Sequence, residues 1–129
     1  PVASLKVKVL QVKHLRAEDG TIGYGRHGHV APGGSVIATI PVGYADGIDR
    51  HLGCGAASFS VKGHRVPTIG NICMDMCMLD VTGVDVNVGD TGTIFGEDPT
   101  VSELAGIHGT IPYEILTSVP RRIERIVVK

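Results

Sequence analysis

The sequence predicts a mainly β domain: a small closed or nearly closed β-barrel with one or two short helices toward its C-terminal end. Three observations carry this. Short runs of alternating or β-branched residues recur along the chain, each bounded by Gly, Pro, Asn or Asp. With 18 glycines and 7 prolines in 129 residues, glycine is about twice its usual share, as many tight turns require. Helical signals occur only after Thr100, late in the chain.

Taken in order, Ser4 to Val9 alternates polar and apolar residues, the period-2 pattern of a half-buried strand, and continues to Leu15. Glu18-Asp19-Gly20 and Pro32-Gly33-Gly34 are turn signals. Ser35 to Ile40 is a β-branched run suited to a buried strand. Ser58–Val61 and His64–Val66 flank Lys62-Gly63, which predicts a tight hairpin. Met76–Val81 and Asp90–Phe95 read as further strands. Thr100-Val101-Ser102-Glu103 has the form of a capping box, opening a short helix that Gly109 stops. Ile111 to Leu116, with Pro112 in the first turn, predicts a second helix. Pro120 ends it, and Ile123 to Val128 reads as a last strand.

A chain of this length holds one domain, 1–129, with its own core and no room for a second. The 12 basic and 13 acidic residues are dispersed and the net charge is −1, so no basic stripe for nucleic acid is present. No apolar run approaches the ~20 residues of a membrane helix, and the N-terminus carries no signal-peptide pattern. Pro1 in place of Met reads as the start of a piece of a longer protein. The odd number of cysteines, Cys54, Cys73 and Cys77, fits reduced thiols and a cytoplasmic location. Cys73-x-x-x-Cys77 lacks a second ligand pair, so the spacing gives no metal motif. His27 and His29 read as loop histidines.

Four segments carry the functional signal: Gly23-Tyr24-Gly25-Arg26, Val42-Gly43-Tyr44-Ala45-Asp46-Gly47, Gly70-Asn71-Ile72-Cys73-Met74-Asp75 and Gly109-Thr110-Ile111-Pro112-Tyr113-Glu114. In this order and spacing, with the closing Arg121-Arg122-Ile123-Glu124-Arg125, they resemble the C-terminal domain of pyridoxal-phosphate-dependent alanine racemases over nearly the whole chain. The resemblance implies an amino-acid isomerase that interconverts L- and D-alanine for peptidoglycan. It also implies a head-to-tail homodimer, in which this domain covers the mouth of the partner's cofactor-binding (β/α)₈ barrel.

Racemisation needs a proton taken from one face of the substrate Cα and one delivered to the other. The resemblance places the acid/base for one face on Tyr24; the other belongs to a lysine of the absent barrel. A phenol titrates near ~10, so a base acting near neutrality needs a shift of about three units, roughly 4 kcal/mol of preferential phenolate stabilisation. Read without the resemblance, Tyr24 is a ring packed at the barrel rim within a glycine-rich turn. The resemblance further implies that Met74, Tyr44, Asp75 and Arg50 contact substrate or line its access path, and that Tyr113 hydrogen-bonds the cofactor phosphate. The plain alternatives are core filling for Met74, turn chemistry for Asp46-Gly47, and helix capping around Tyr113 and Glu114. Asn71 departs from the arginine that many family members carry.

None of Lys6, Lys8, Lys13, Lys62 or Lys129 sits in a pattern that predicts the desolvated pocket a Schiff-base lysine needs. The isolated chain is therefore expected to be inactive. Two other readings stay open at this level: a free-standing β-barrel binding or scaffold module, and a domain of a related racemase of broader amino-acid specificity.

Overall fold

The computed structural model describes residues 3–22 and 28–128. Among these residues nine strands and two α-helices follow one another: β1 (Leu5–Lys8), β2 (Gln11–Leu15), β3 (Thr21–Ile22), β4 (Gly28–His29), β5 (Ser35–Ile40), β6 (Ser58–Val61), β7 (His64–Ile69), β8 (Cys77–Asp80), β9 (Thr91–Phe95), α1 (Val101–His108) and α2 (Pro112–Ser118). The small ribbon β3–β4 brackets residues 23–27 in sequence, so Tyr24 lies outside the described residues.

Seven strands form one antiparallel sheet in the order β1-β9-β6-β7-β8-β5-β2. Its two ends are halves of one stretch of chain. β1 pairs with β9, the chain bends at Val9 and Leu10, and β2 pairs with β5. Val9 N–H donates to Asp90 O and Leu10 N–H to Thr39 O, both at 2.9 Å, so the hydrogen-bond ladder passes from one edge to the other. The two edge strands are thus consecutive stretches of one chain, and the sheet curls into a half-barrel around the core.

Apolar side chains of the strands fill the interior. β5 contributes Ala38 and Ile40, β6 Phe59 and Val61, β8 Cys77 and Leu79, and β9 Ile94 and Phe95. The hairpin at Lys62-Gly63 forms with Val61 opposite His64 and positive φ at both central residues (51° and 78°), the geometry of a two-residue turn that matches strand twist. Leu104 and Ala105 of α1 and Ile115 of α2 belong to the same core cluster.

Four expectations need correction. The opening run is two strands, because it serves two different partners. β7 runs on through Pro67 to Ile69: proline removes a donor, but here it sits where the strand passes from its β6 neighbour to its β8 neighbour. At α1, Thr100 Oγ1 accepts the Glu103 N–H at 3.2 Å, yet the Glu103 carboxylate is held by Arg65 at 2.7 Å through both oxygens. A charged fork outcompetes the backbone N–H that would complete the capping box. Finally, Ile123–Val128 is not a strand. β-Branched residues favour a strand only where an edge and a face are offered. Here Arg125 instead donates to the carbonyls of Val119, Pro120 and Ile123, and Ile126, Val127 and Val128 stay exposed.

Candidate functional site

The segment after β5 is shaped by its neighbours. A Cβ on Gly43 would stand 2.1 Å from the Cys73 carbonyl oxygen and 2.5 Å from that of Met74, so only glycine allows the approach. Across that contact, Tyr44 N–H donates to Cys73 O and Ala45 N–H to Met74 O, each at 2.9 Å. Tyr44–Asp46 then forms one 3₁₀ turn, closed by Gly47 at φ 89°. Gly47 in turn presses on the end of α2, where a Cβ would meet Ser118 O at 2.8 Å. The turn is thus wedged between the Cys73–Met74 loop and α2.

Asp46 holds this wedge. It is 2% exposed; its Oδ2 accepts the Gly43 N–H at 3.0 Å and its Oδ1 accepts the Arg122 guanidinium. Of the two roles open to Asp46, turn closure and site chemistry, the geometry supplies the first.

The predicted site residues separate clearly. Tyr44 and Met74 lie on adjoining backbone with both side chains about half exposed. Tyr113 is 75% exposed in the first turn of α2, the helix that abuts Gly47. Asp75 is exposed beside Met74, and Arg50 is exposed in a second 3₁₀ turn, Arg50–Leu52, anchored by buried Leu52. The Cys73–Met74 peptide is trans, so its N–H points opposite to the Cys73 carbonyl that the Tyr44 turn occupies. Among the described residues this Met74 N–H has no acceptor.

A cleft of about 240 Å³ opens between the two 3₁₀ turns and the helices, with Tyr44, Asp49, Leu52, Phe95, His108 and Glu114 in its lining. Asp49 Oδ1 accepts the His51 N–H at 2.8 Å and lies 2.6 Å from His51 Nδ1. Burial alone would raise the Asp49 carboxyl; the His51 hydrogen bonds and the nearby His108 and His51 charges outweigh it and hold the group below its ordinary value.

The whole sequence matches one family. The model of the alanine racemase C-terminal domain matches residues 2–127. The chain belongs to the alanine racemase C-terminal domain family. Alanine racemases of Clostridium kluyveri and Deinococcus deserti are each 44% identical, over 100% and 99% of this chain. Among solved structures, the alanine racemase of Bartonella henselae with covalently bound pyridoxal phosphate superposes with a TM-score of 0.89 at 32% identity, over 97% of this chain and 34% of that one. That of Bacillus anthracis with bound L-Ala-P gives 0.88 at 35% identity, over 98% and 32%. The chain spans about a third of the length of these relatives.

Within this alanine racemase domain, the described lysines do not fit a covalent cofactor anchor. Lys6, Lys8, Lys13 and Lys62 are all exposed; Lys8 donates to Thr91 Oγ1 at 2.8 Å and Lys62 to Asp85 O at 3.1 Å. None lies in the enclosed pocket that a covalent anchor needs. Asn71 Oδ1 accepts the Cys54 thiol at 3.4 Å. Sequence reasoning missed three arrangements here: the Asp46–Arg122 pair, the Arg65 fork on Asp98 and Glu103, and the approach of His108 to Asp49. Each joins residues too far apart in sequence for any spacing rule to find.

Proposed function

We propose that residues 1–129 are one domain of a larger alanine racemase that interconverts L- and D-alanine, and that this domain closes the active site of a partner subunit in a head-to-tail homodimer. The observation that carries this reading is the Cys73–Met74 peptide. Its carbonyl is occupied by the Tyr44 turn, and its N–H is left for an outside acceptor. A substrate carboxylate is such an acceptor, and a rigid backbone donor orients it without a side-chain rotamer to order.

In this reading Tyr24 supplies or takes the proton on one face of the substrate Cα. Tyr44 and Arg50 border the access path, Asp75 extends it, and Tyr113 donates its exposed hydroxyl to the cofactor phosphate. Pyridoxal phosphate, when bound to the absent barrel, supplies the electron sink that makes the Cα proton removable. Its anchor is a lysine outside this chain. The half-exposed Leu10, Met74 and Met76 fit a surface that another subunit covers. D-Alanine for peptidoglycan made in the cytoplasm is the physiological role that follows.

The test uses both chain lengths. The 129-residue chain with added pyridoxal phosphate should not racemise alanine, whereas the longer protein should. In the longer protein Tyr24→Phe should keep the cofactor absorbance and lose on the order of 100-fold or more in turnover, the usual scale of a lost acid/base. Turnover by the short chain, or full activity of Tyr24→Phe, would overturn the reading.

A further inference from the structure

One end of the cleft gathers nitrogen and oxygen donors that the racemase reading does not use. Asp49, His51 and His108 each offer a ligand atom, and these atoms all lie within 4.8 Å of one another. Asp49 Oδ1 is 3.4 Å from His108 Nδ1 and 2.6 Å from His51 Nδ1. Glu114 Oε1 lies 4.0 Å from His108 Nε2 on the far side of the ring. The two imidazoles face one another, with centroids 5.4 Å apart and planes tilted by 34°.

His108 Nδ1 is the telling atom. It is buried and makes no hydrogen bond among the described residues, although a carboxylate oxygen lies within ion-pairing distance. Buried polar nitrogens normally have a partner. A cation bound between His108 Nδ1 and Asp49 would give it one.

We propose that Asp49, His51 and His108 form a binding site for a divalent transition metal of the zinc class. The donor set is right for such an ion: two imidazoles and a carboxylate, the mixture that zinc accepts with a water or a fourth protein ligand completing the shell. The spacing is right where the protein is rigid. Ligands about 2.0–2.1 Å from a tetrahedral ion are separated by roughly 3.3–3.4 Å, and the Asp49–His108 distance already has that value. The adjustment falls on His51, whose side chain is 74% exposed and can swing off its hydrogen bond to Asp49 without disturbing the core. Charge agrees as well: Asp49 and Glu114 leave the cluster acidic when both histidines are neutral. The metal would clip the Arg50–Leu52 turn to the C-terminal end of α1, two segments joined here by side chains alone.

Zinc titration of the 129-residue chain by calorimetry tests this, with cobalt as the spectroscopic probe. One equivalent should bind, raise the thermal midpoint, and give a tetrahedral cobalt spectrum without a sulfur-to-metal charge-transfer band. H51Q and D49N should each weaken binding at least tenfold. H51Q changes an exposed side chain, and D49N keeps an oxygen for the His51 N–H, so both should fold; H64Q, on the β6–β7 hairpin, should bind as the parent does. No binding to the unmodified chain, equal binding to the H51Q variant, or a cobalt–thiolate band would overturn the assignment.

Discussion

Asp46 and Arg122 stand 76 residues apart in sequence, and their side chains meet where the Tyr44 turn, the end of α2 and the C-terminal segment converge. The carboxylate is almost fully buried while the guanidinium is 57% exposed. The pair is asymmetric: losing the cation strands a buried anion, whereas losing the anion leaves the cation in water.

Arg122→Gln should therefore destabilise the domain by about 1–3 kcal/mol, the cost of an under-satisfied buried charged acceptor. The Gly43 N–H still bonds Asp46, which keeps the loss from being larger. Adding Asp46→Asn to Arg122→Gln should recover part of it. Urea unfolding of the two single variants and the double variant measures the coupling. Strictly additive losses would contradict the geometry.

Two glycines predict opposite outcomes for one substitution. Gly43→Ala drives a methyl group into two carbonyl oxygens of the Met74 loop and should cost on the order of 2–4 kcal/mol, or prevent soluble expression. In the longer protein it should also impair alanine turnover by shifting Tyr44 and Met74. Gly106→Ala, on an exposed turn of α1 with nothing within 4 Å of the new methyl, should stabilise by about 0.5–1 kcal/mol. Thermal melts of the two variants decide both.

These contrasts show what the sequence makes legible and what it does not. Local signals were sufficient at Lys62-Gly63, at Ser35–Ile40 and at the Thr100 cap, because each is written in adjacent residues. The Gly-Tyr-Ala-Asp-Gly and Met-Asp segments stand out in the sequence, and the fold joins them through Gly43. Features decided by a partner were not legible. The break at Val9–Leu10 depends on β1 and β2 having different neighbours, and the run from Ile123 has the composition of a strand but no ladder. His108 reaches Asp49 only because α1 packs against the Arg50–Leu52 turn. Tyr24, on which the chemistry is proposed to turn, lies outside the described residues.

Acid should act through Arg65. Its guanidinium bonds Glu103 through two nitrogens at 2.7 Å and Asp98 at 2.5 Å and 3.0 Å, tying β7 to the start of α1. The Arg65 hydrogen bonds hold both carboxyls below their ordinary values, against a smaller opposing effect of desolvation. Their folded pKa values lie below the unfolded ones, so the stabilisation is complete above the ordinary carboxylate range near ~4 and is lost as pH falls through the folded values. The partners are substantially exposed, and the Arg65–Glu103 pair is worth under about 1 kcal/mol once solvent screening is counted. Arg65→Met should be slightly less stable than the parent near neutral pH. The difference should shrink as pH falls from about 4 downward through the folded values, read from urea midpoints across the acid range. A gap that widens on acidification would mean the fork is not the source.

The three thiols should differ in reactivity according to burial. Cys54 is exposed, Cys73 is partly covered, and Cys77 is enclosed in the barrel core on β8. Burial, with a small contribution from nearby Cys73, pushes the Cys77 thiol up to about 12, so almost no thiolate exists there near neutral pH. Only the thiolate reacts readily with alkylating reagents, and Cys77 is shielded from them as well. Mass-spectrometric mapping of iodoacetamide labelling in the folded chain should find Cys54 modified first and Cys77 last. Cys77 should label at a comparable rate only after unfolding in urea. The same experiment reports on the core: if Phe59→Ala opens the barrel interior, at a cost of about 3–5 kcal/mol for a buried phenylalanine, Cys77 labelling should accelerate while Cys54 labelling stays unchanged. Rapid labelling of Cys77 in the unmodified folded chain would contradict its enclosure in the core.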